Sequence, residues 1–164
     1  MTIQEKYNIR DLEYYDCVKN ILETDIIKEM DQYIQHGNTT TLKHSLLVSY
    51  SSYKIAKKLK LNYQSVAKAA LLHDFYLYDW HHQKQKKKFL EKHGFTHPKI
   101  ALENADKYFF LTEIEKDIIV KHMWPLTFRQ LPKYKETLLV SCVDKYSCTK
   151  EVLLPFLSCL KNKI

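Results

Sequence analysis

The fold is decided by one stretch, Ala70-Leu71-Leu72-His73-Asp74-Phe75, in which an apolar run ends in a histidine and an aspartate. Upstream, Val66, Ala70 and His73 are spaced i, i+4 and i+7, which places His73 on the face that a helix here would bury. Burying an imidazole beside a carboxylate is costly unless a partner compensates them, and a metal ion would compensate both. The pair alone also fits a histidine oriented by a carboxylate in an ordinary core, so its meaning depends on the rest of the chain.

Composition predicts a single, mostly helical domain. The 164 residues are 45% hydrophobic and 13% aromatic, which argues against disorder. Only two glycines and four prolines leave little turn chemistry for a sheet-rich fold. No apolar run approaches the roughly 20 residues that span a bilayer, and the N-terminus does not resemble a signal peptide. We therefore expect a cytoplasmic protein that has no membrane partner.

The charge pattern favours a small anionic partner over a nucleic-acid duplex. The formal charge of +7 is spread along the chain, and Arg10 and Arg129 are the only arginines, which is few for reading a groove. The run Lys84-Gln85-Lys86-Lys87-Lys88 is typical of a solvated helix face.

Four cysteines lack zinc spacing and are expected to be reduced and mostly buried; they are Cys17, Cys142, Cys148 and Cys159.

Helix signals divide the chain into an N-terminal extension (1–38), a core (39–148) and a C-terminal helix (149–164). Residues 1–37 show two helical segments, and Gly37 is expected to end the second. The core signals are a helix from Thr41 to Leu59 capped by Thr39 or Thr40, a second capped by Asn62, a helix end at Gly94, a start at His97-Pro98, a capping box at Thr112–Glu115, and a helix from Glu136 to Thr149. A separate last helix would have Pro155 near its first turn.

Six potential metal ligands lie at helix ends or on inward helical faces of this core. They are His44, His73, Asp74, His97, His122 and Asp144. Imidazole and carboxylate suit iron, manganese or zinc, and six such ligands with one bridging carboxylate suit two ions.

In order and context these residues resemble the HD-domain superfamily of metal-dependent phosphohydrolases. The resemblance covers about Thr39 to Tyr146. Its anchors are Leu42-Lys43-His44-Ser45, Ala69-Ala70-Leu71-Leu72-His73-Asp74 and Val143-Asp144-Lys145-Tyr146. His97 and His122 are similar to the additional ligands of the binuclear branch, which includes dinucleoside-tetraphosphate hydrolases and cyclic-dinucleotide phosphodiesterases. The resemblance implies an all-α fold: a single compact HD-type domain with an N-terminal helical extension.

The resemblance also implies roles for these residues. His44, His73, Asp74 and Asp144 would hold one divalent ion, and Asp74 would bridge to a second ion held by His97 and His122. Iron is the first expectation for both ions, and manganese, zinc and magnesium are the alternatives. A metal-bridging hydroxide would then attack the phosphate ester of a small substrate, with a nucleotide favoured.

Further residues are candidates for handling the charge and the protons of that reaction. Arg129 and Lys145 would neutralise the phosphate, with Lys84 a weaker candidate, and Asp79 would protonate the leaving group or orient a ligand histidine. Surface lysine or arginine is the alternative interpretation of each of the three cations.

The chain departs from the superfamily pattern after the His-Asp pair. Tyr76-Leu77-Tyr78-Asp79 replaces a glycine and a lysine common there, and the glycine-tyrosine-proline signature of the cyclic-di-GMP branch is absent from the sequence. Two other functions share the ligand set, namely an HD-fold di-iron oxygenase and a metal-binding regulatory module without turnover. A homodimer is compatible with the sequence.

Overall fold

The computed structural model describes residues 2–80 and 93–161, with side chains up to Leu153. This part of the chain forms eight α-helices, one 3₁₀ helix and one two-stranded sheet, so the all-α expectation is confirmed. The elements are α1 (Ile3–Lys6), α2 (Leu12–Leu22), α3 (Asp25–Lys28), the 3₁₀ helix (Glu29–Gln32), β1 (Ile34–His36), β2 (Thr39–Thr40), α4 (Thr41–Lys58), α5 (Tyr63–Leu72), α6 (His93–Tyr108), α7 (Glu113–Lys121) and α8 (Lys135–Lys161). Within the described ranges, we find no helix with the length and apolar character needed to cross a membrane.

Three helices begin where the sequence predicts, because side chains satisfy their first free N–H groups. The Thr40 hydroxyl accepts from the Lys43 amide before α4, and the Asn62 side chain accepts from the Ser65 amide before α5. At α7, Thr112 and Glu115 form the predicted reciprocal capping box.

Helix α5 is the centre of the fold. It contacts α2, α4, α6, α7 and α8, and its residues Val66, Ala67, Ala69, Ala70, Leu71 and Leu72 have no exposed surface. Small side chains let α4 approach it closely, as where the Ser49 hydroxyl donates to the Ala67 carbonyl at 2.7 Å. The C-terminal end of α5 therefore delivers His73 and Asp74 to the middle of the molecule.

The N-terminal extension differs from the prediction of two helical segments. It forms three short helices and the 3₁₀ helix, and then a hairpin in which β1 pairs antiparallel with β2. Gly37 lies in the hairpin turn at φ +54°, a conformation that glycine adopts without steric cost. The strand pattern turns Gln35 inward, where its side chain is buried.

Three further sequence predictions are wrong. Helix α6 covers His93–Tyr108, so Gly94 and Pro98 lie inside it and no helix begins at His97-Pro98. Helix α8 runs without the predicted break, and within it the Thr149 hydroxyl donates to the Lys145 carbonyl at 2.7 Å. The free cysteines are not mostly buried: Cys142 is exposed, while Cys17 and Cys148 are half-buried. The side chains of Cys159 and Pro155, and all of Lys84, lie outside the described part.

Candidate metal centre

All six predicted ligands meet in one buried cluster at the C-terminal end of α5. His44 comes from the start of α4, His97 from α6 and Asp144 from α8, whereas His73 and His122 are the C-terminal caps of α5 and α7. Their exposed fractions lie between 0% and 4%. Most of these side chains come from helix ends. Several helices can direct their end residues to one point, because the bodies of the helices then lie away from that point.

The first ligand group consists of His44, His73, Asp144 and one oxygen of Asp74, Oδ2. Asp144 Oδ1 lies 3.1 Å from His44 Nε2 and 3.6 Å from His73 Nε2. Asp74 Oδ2 lies 3.2 Å from His73 Nε2 and 3.8 Å from His44 Nε2. Two ligand atoms each about 2.1 Å from one ion lie roughly 3.0–3.4 Å apart at octahedral or tetrahedral angles. The observed separations are close to that range.

The second ligand group consists of His97, His122 and the other oxygen of Asp74, Oδ1. This oxygen lies 3.2 Å from His97 Nε2 and 3.6 Å from His122 Nε2, and the two nitrogens are 2.9 Å apart. His73 also lies near this group, since ligand atoms of His73, Asp74 and His122 fall within 4.8 Å of one another. Asp74 thus turns one oxygen to each ligand group, as a bridging carboxylate does.

In three of the four imidazoles the hydrogen bonds place a proton on Nδ1, on the side away from the cluster. Nδ1 of His73, His97 and His122 contacts the backbone carbonyls of Ala70, His93 and Ile119 at 2.7, 2.7 and 2.8 Å. A carbonyl only accepts, so each Nδ1 carries a proton, and each ring in its neutral form presents a lone pair at Nε2. Two such lone pairs face each other between His97 and His122, and the described residues give His73 Nε2 and Asp74 Oδ1 no hydrogen-bond partner. A cation between these atoms would satisfy them all, so the donor set fits divalent metal ions.

The pKa shifts of the clustered residues differ in direction, because burial competes with the charges of the neighbouring side chains. Burial opposes the charged form of His44, but hydrogen bonds with Asp144 and Glu151 outweigh it and raise its pKa to about 9. Burial would raise the pKa of Asp74, yet the imidazoles of His73 and His97 hold it well below its ordinary value. Burial and the neighbouring His73 and His97 lower the pKa of His122 to about 3. Without a metal ion, some of these side chains hold protons more strongly than others do. Metal binding would release the protons that the ligands hold.

Two residues that contact the ligands, Gln35 and Glu151, were not predicted from the sequence. The Gln35 amide donates to Asp74 Oδ2 at 2.7 Å and accepts from the Tyr76 hydroxyl. Glu151 lies with both carboxylate oxygens 3.1–3.2 Å from His44 Nδ1. Glu151 follows Asp144 by seven residues, two turns on the same helix face, and this spacing was the signal that could have revealed it.

The predicted charge-handling residues lie outside the ligand groups. Lys145 Nζ donates to the His122 carbonyl at 2.8 Å and to the Ser141 hydroxyl at 3.1 Å, and burial lowers its pKa. Arg129 is exposed, with its guanidinium carbon 5.6 Å from the centre of the Phe128 ring. Asp79 is exposed in the segment after α5.

The segment that carries Arg129 is tied to α7 through Asp117. Asp117 Oδ2 accepts from the Thr137 hydroxyl at 2.6 Å and from the Lys133 amide at 3.0 Å, and Lys121 forms an ion pair with the same carboxylate. Burial would raise the pKa of Asp117, but these partners outweigh it and lower the pKa. The chain on the C-terminal side of Arg129 is therefore held to α7 through Lys133 and Thr137.

Aromatic side chains pack around His97 and its neighbour His93. The His93 ring stacks on His97 with 4.5 Å between ring centres, and the Trp80 ring stacks on the other side of His93 at 4.9 Å. Tyr76 meets His93 edge-on at 4.7 Å, and the Tyr78 hydroxyl lies 3.0 Å from His93 Nδ1. The aromatic segment after the His-Asp pair is therefore a wall beside the cluster.

In the comparison with known protein families, the model of the HD domain matches residues 41–148. The comparisons with curated proteins and with solved structures find no match. The HD match includes all six clustered residues, and HD domains are mostly metal-dependent phosphohydrolases. Since the match spans well over half of a chain whose helices gather this ligand set, the protein belongs to the HD domain family.

Proposed function

We propose that this protein is a metal-dependent phosphohydrolase that acts on a small phosphorylated substrate, with a nucleotide as the first choice. The observation that carries the proposal is the arrangement of Asp74, which turns one carboxylate oxygen to each of two ligand groups. Membership of the HD family supports the hydrolase class.

The proposed cofactors are two divalent ions, with iron first and manganese, zinc or magnesium as alternatives. His44, His73, Asp144 and Asp74 Oδ2 would hold one ion, and His97, His122 and Asp74 Oδ1 would hold the other. Bound there, such ions would polarise phosphoryl oxygens and supply hydroxide near neutral pH. The protein holds the rings in place through their Nδ1 protons, which are all directed away from the ligand groups.

Among the proposed phosphate-binding cations, Arg129 is the stronger candidate. The Lys145 ammonium already donates to His122 and Ser141, so it also fixes the end of α7 against α8. Arg129 has no ion-pair partner among the described residues and follows His122 in the chain. Its planar guanidinium can bind two phosphate oxygens at once. Asp79 is the proposed proton donor to the leaving group.

A nucleotide suits the surroundings of the cluster. The net charge of +7 favours an anionic substrate. In the aromatic wall, the half-buried side chains of Tyr78 and Trp80 have ring surface against which a planar base can pack.

The test is a metal analysis of protein purified without oxygen, followed by a screen of nucleotides for phosphate release. Asp74→Ala is the matched control, because it removes a ligand from both groups while leaving the aromatic wall in place. Release of phosphate by the wild type, and not by Asp74→Ala, is the expected result. Oxygen-dependent loss of an organic substrate without phosphate release would assign an oxygenase instead. Metal binding without any turnover would indicate a regulatory module.

A further inference from the structure

We infer that two residues outside the HD match, Gln35 before it and Glu151 after it, are positioning residues for the first ligand group. Gln35 fixes the carboxylate of Asp74, and Glu151 fixes the ring of His44. The inference rests on the metal site of the proposed function, and it adds parts that residues 41–148 do not contain.

Gln35 reaches the cluster from the N-terminal hairpin. Its side chain is buried, with 6% of the residue exposed, and Nε2 lies 2.7 Å from Asp74 Oδ2. That oxygen is the one that faces His44 and His73. A donor held there leaves the remaining lone pair of Oδ2 directed at the first ligand group.

The chemistry of its two neighbours determines which way the Gln35 amide points. The Asp74 carboxylate can only accept, so the NH₂ end must face it. The oxygen end then accepts from the Tyr76 hydroxyl, and the Tyr76 ring is itself fully buried against His93 and His97. Tyr76 stands in the segment where the chain departs from the superfamily pattern. Tyr76, Gln35 and Asp74 therefore form one chain of hydrogen bonds that ends on a ligand oxygen.

Glu151 gives His44 a partner that the other three ligand histidines lack. His73, His97 and His122 direct Nδ1 at backbone carbonyls, whereas His44 Nδ1 faces a carboxylate at 3.1–3.2 Å. A carboxylate on Nδ1 fixes the tautomer that leaves Nε2 free and makes this nitrogen a stronger donor to a metal. Only 10% of the Glu151 side chain is exposed, so the interaction is weakly screened by solvent.

The experiment measures Co²⁺ binding to the chelator-treated 164-residue chain, by titration of the visible absorption bands. Gln35→Leu and Glu151→Ala should each weaken the binding step assigned to the first ligand group by roughly 10–100-fold, the usual effect of losing such a partner. The step assigned to His97 and His122 should change less, because neither residue contacts them. Exposed residues supply matched controls, Gln32→Leu and Glu103→Ala, which should bind as the wild type does.

Two conservative variants separate positioning from a general role in folding. Glu151→Gln keeps an acceptor for the His44 Nδ1 proton, so it should recover much of the affinity lost in Glu151→Ala. Tyr76→Phe keeps the ring and removes only the hydroxyl that holds Gln35, so it should weaken binding in the same direction as Gln35→Leu, by less. If Gln35→Leu or Glu151→Ala does not fold, these milder variants carry the comparison.

Co²⁺ affinities and absorption bands that match the wild type would overturn the inference, even if the melting temperature in chelator fell. A wild type that binds no Co²⁺ would overturn it as well. A wild type that binds Co²⁺ and shows the expected losses, yet releases no phosphate from any nucleotide, would sustain the inference and refute the phosphohydrolase.

Discussion

Replacing Asp74 by asparagine tests the two-ion arrangement with the smallest change in shape. The new amide would keep its oxygen toward the Gln35 donor and turn its NH₂ toward the Nε2 lone pairs of His97 and His122. Asparagine therefore satisfies the second ligand group without a metal and removes its only anion. The first ligand group keeps His44, His73, Asp144 and a neutral oxygen in place of the carboxylate.

The size of the effect follows from binding linkage. An ion present at 100 times its dissociation constant stabilises the folded state by about 2.7 kcal/mol. For a domain of this length, each kcal/mol raises the melting temperature by about 2–4 °C, so one ion gives about 5–11 °C and two give about 11–22 °C. Asp74→Asn should bind one equivalent at most and show no more than half of the wild-type rise.

The assay compares melting temperatures in chelator and in saturating metal, together with metal content after removal of free ions. Because the asparagine satisfies the lone pairs of His97 and His122, the melting temperature of Asp74→Asn in chelator should stay near that of the wild type in chelator. Any decrease should be smaller than the metal-induced rise that the variant loses. Two bound equivalents with an undiminished metal-induced rise in Asp74→Asn would refute the bridging role of this residue.

Three further predictions concern the second ligand group, the phosphate site and the loop behind it. His122→Ala should lower metal content at saturation from two equivalents to one, and unchanged content would mean that this histidine holds no ion. Arg129→Ala should reduce phosphate release by roughly 10²–10³-fold, as expected for one charge-stabilising donor, with metal content and melting temperature unchanged; wild-type turnover would make Arg129 an ordinary surface charge. Asp117→Asn should cost about 1–3 kcal/mol in urea unfolding at pH 7 with chelator, since Thr137 and Lys133 lose a charged acceptor. The folded-state pKa of Asp117 is lowered, so its stabilisation is complete above about pH 4 and is lost as the pH falls through the folded value; the difference between the two proteins should shrink at pH 3, and an equal difference at both pH values would contradict this.

Helical periodicity explains why the centre of the fold could be read from the sequence. His44 and His73 occupy inward positions of apolar helices, and the structure buries both completely. The caps at Thr40, Asn62 and Thr112 also fixed the helix starts, because each leaves a local signal. That residues distant in sequence converge was predicted from the family resemblance. Helical periodicity shows which face of a helix a residue occupies, but it does not show which residues of other helices it meets.

The wrong predictions share one physical cause, because in each case tertiary structure overrides a local sequence signal. The predicted break after Thr149 separated Glu151 from Asp144, although α8 runs through both. A helical interpretation of residues 1–37 hid Gln35, whose inward direction comes from the alternation of a three-residue strand. Pro98 suggested a helix start, yet α6 absorbs it one turn further in.

The unbroken course of α8 means that sequence similarity and chemistry set different boundaries for this domain. A fragment that ended at Cys148 would contain all six candidate metal ligands, yet it would lack Glu151, whose carboxylate contacts Nδ1 of His44. Such a fragment, or a hybrid in which residues 41–148 are joined to terminal segments of another protein, would match the family model. It would nevertheless lack Gln35 and Glu151. The usable unit for transplantation or minimisation is therefore the hairpin, the helical core and the first four to five turns of α8 taken together.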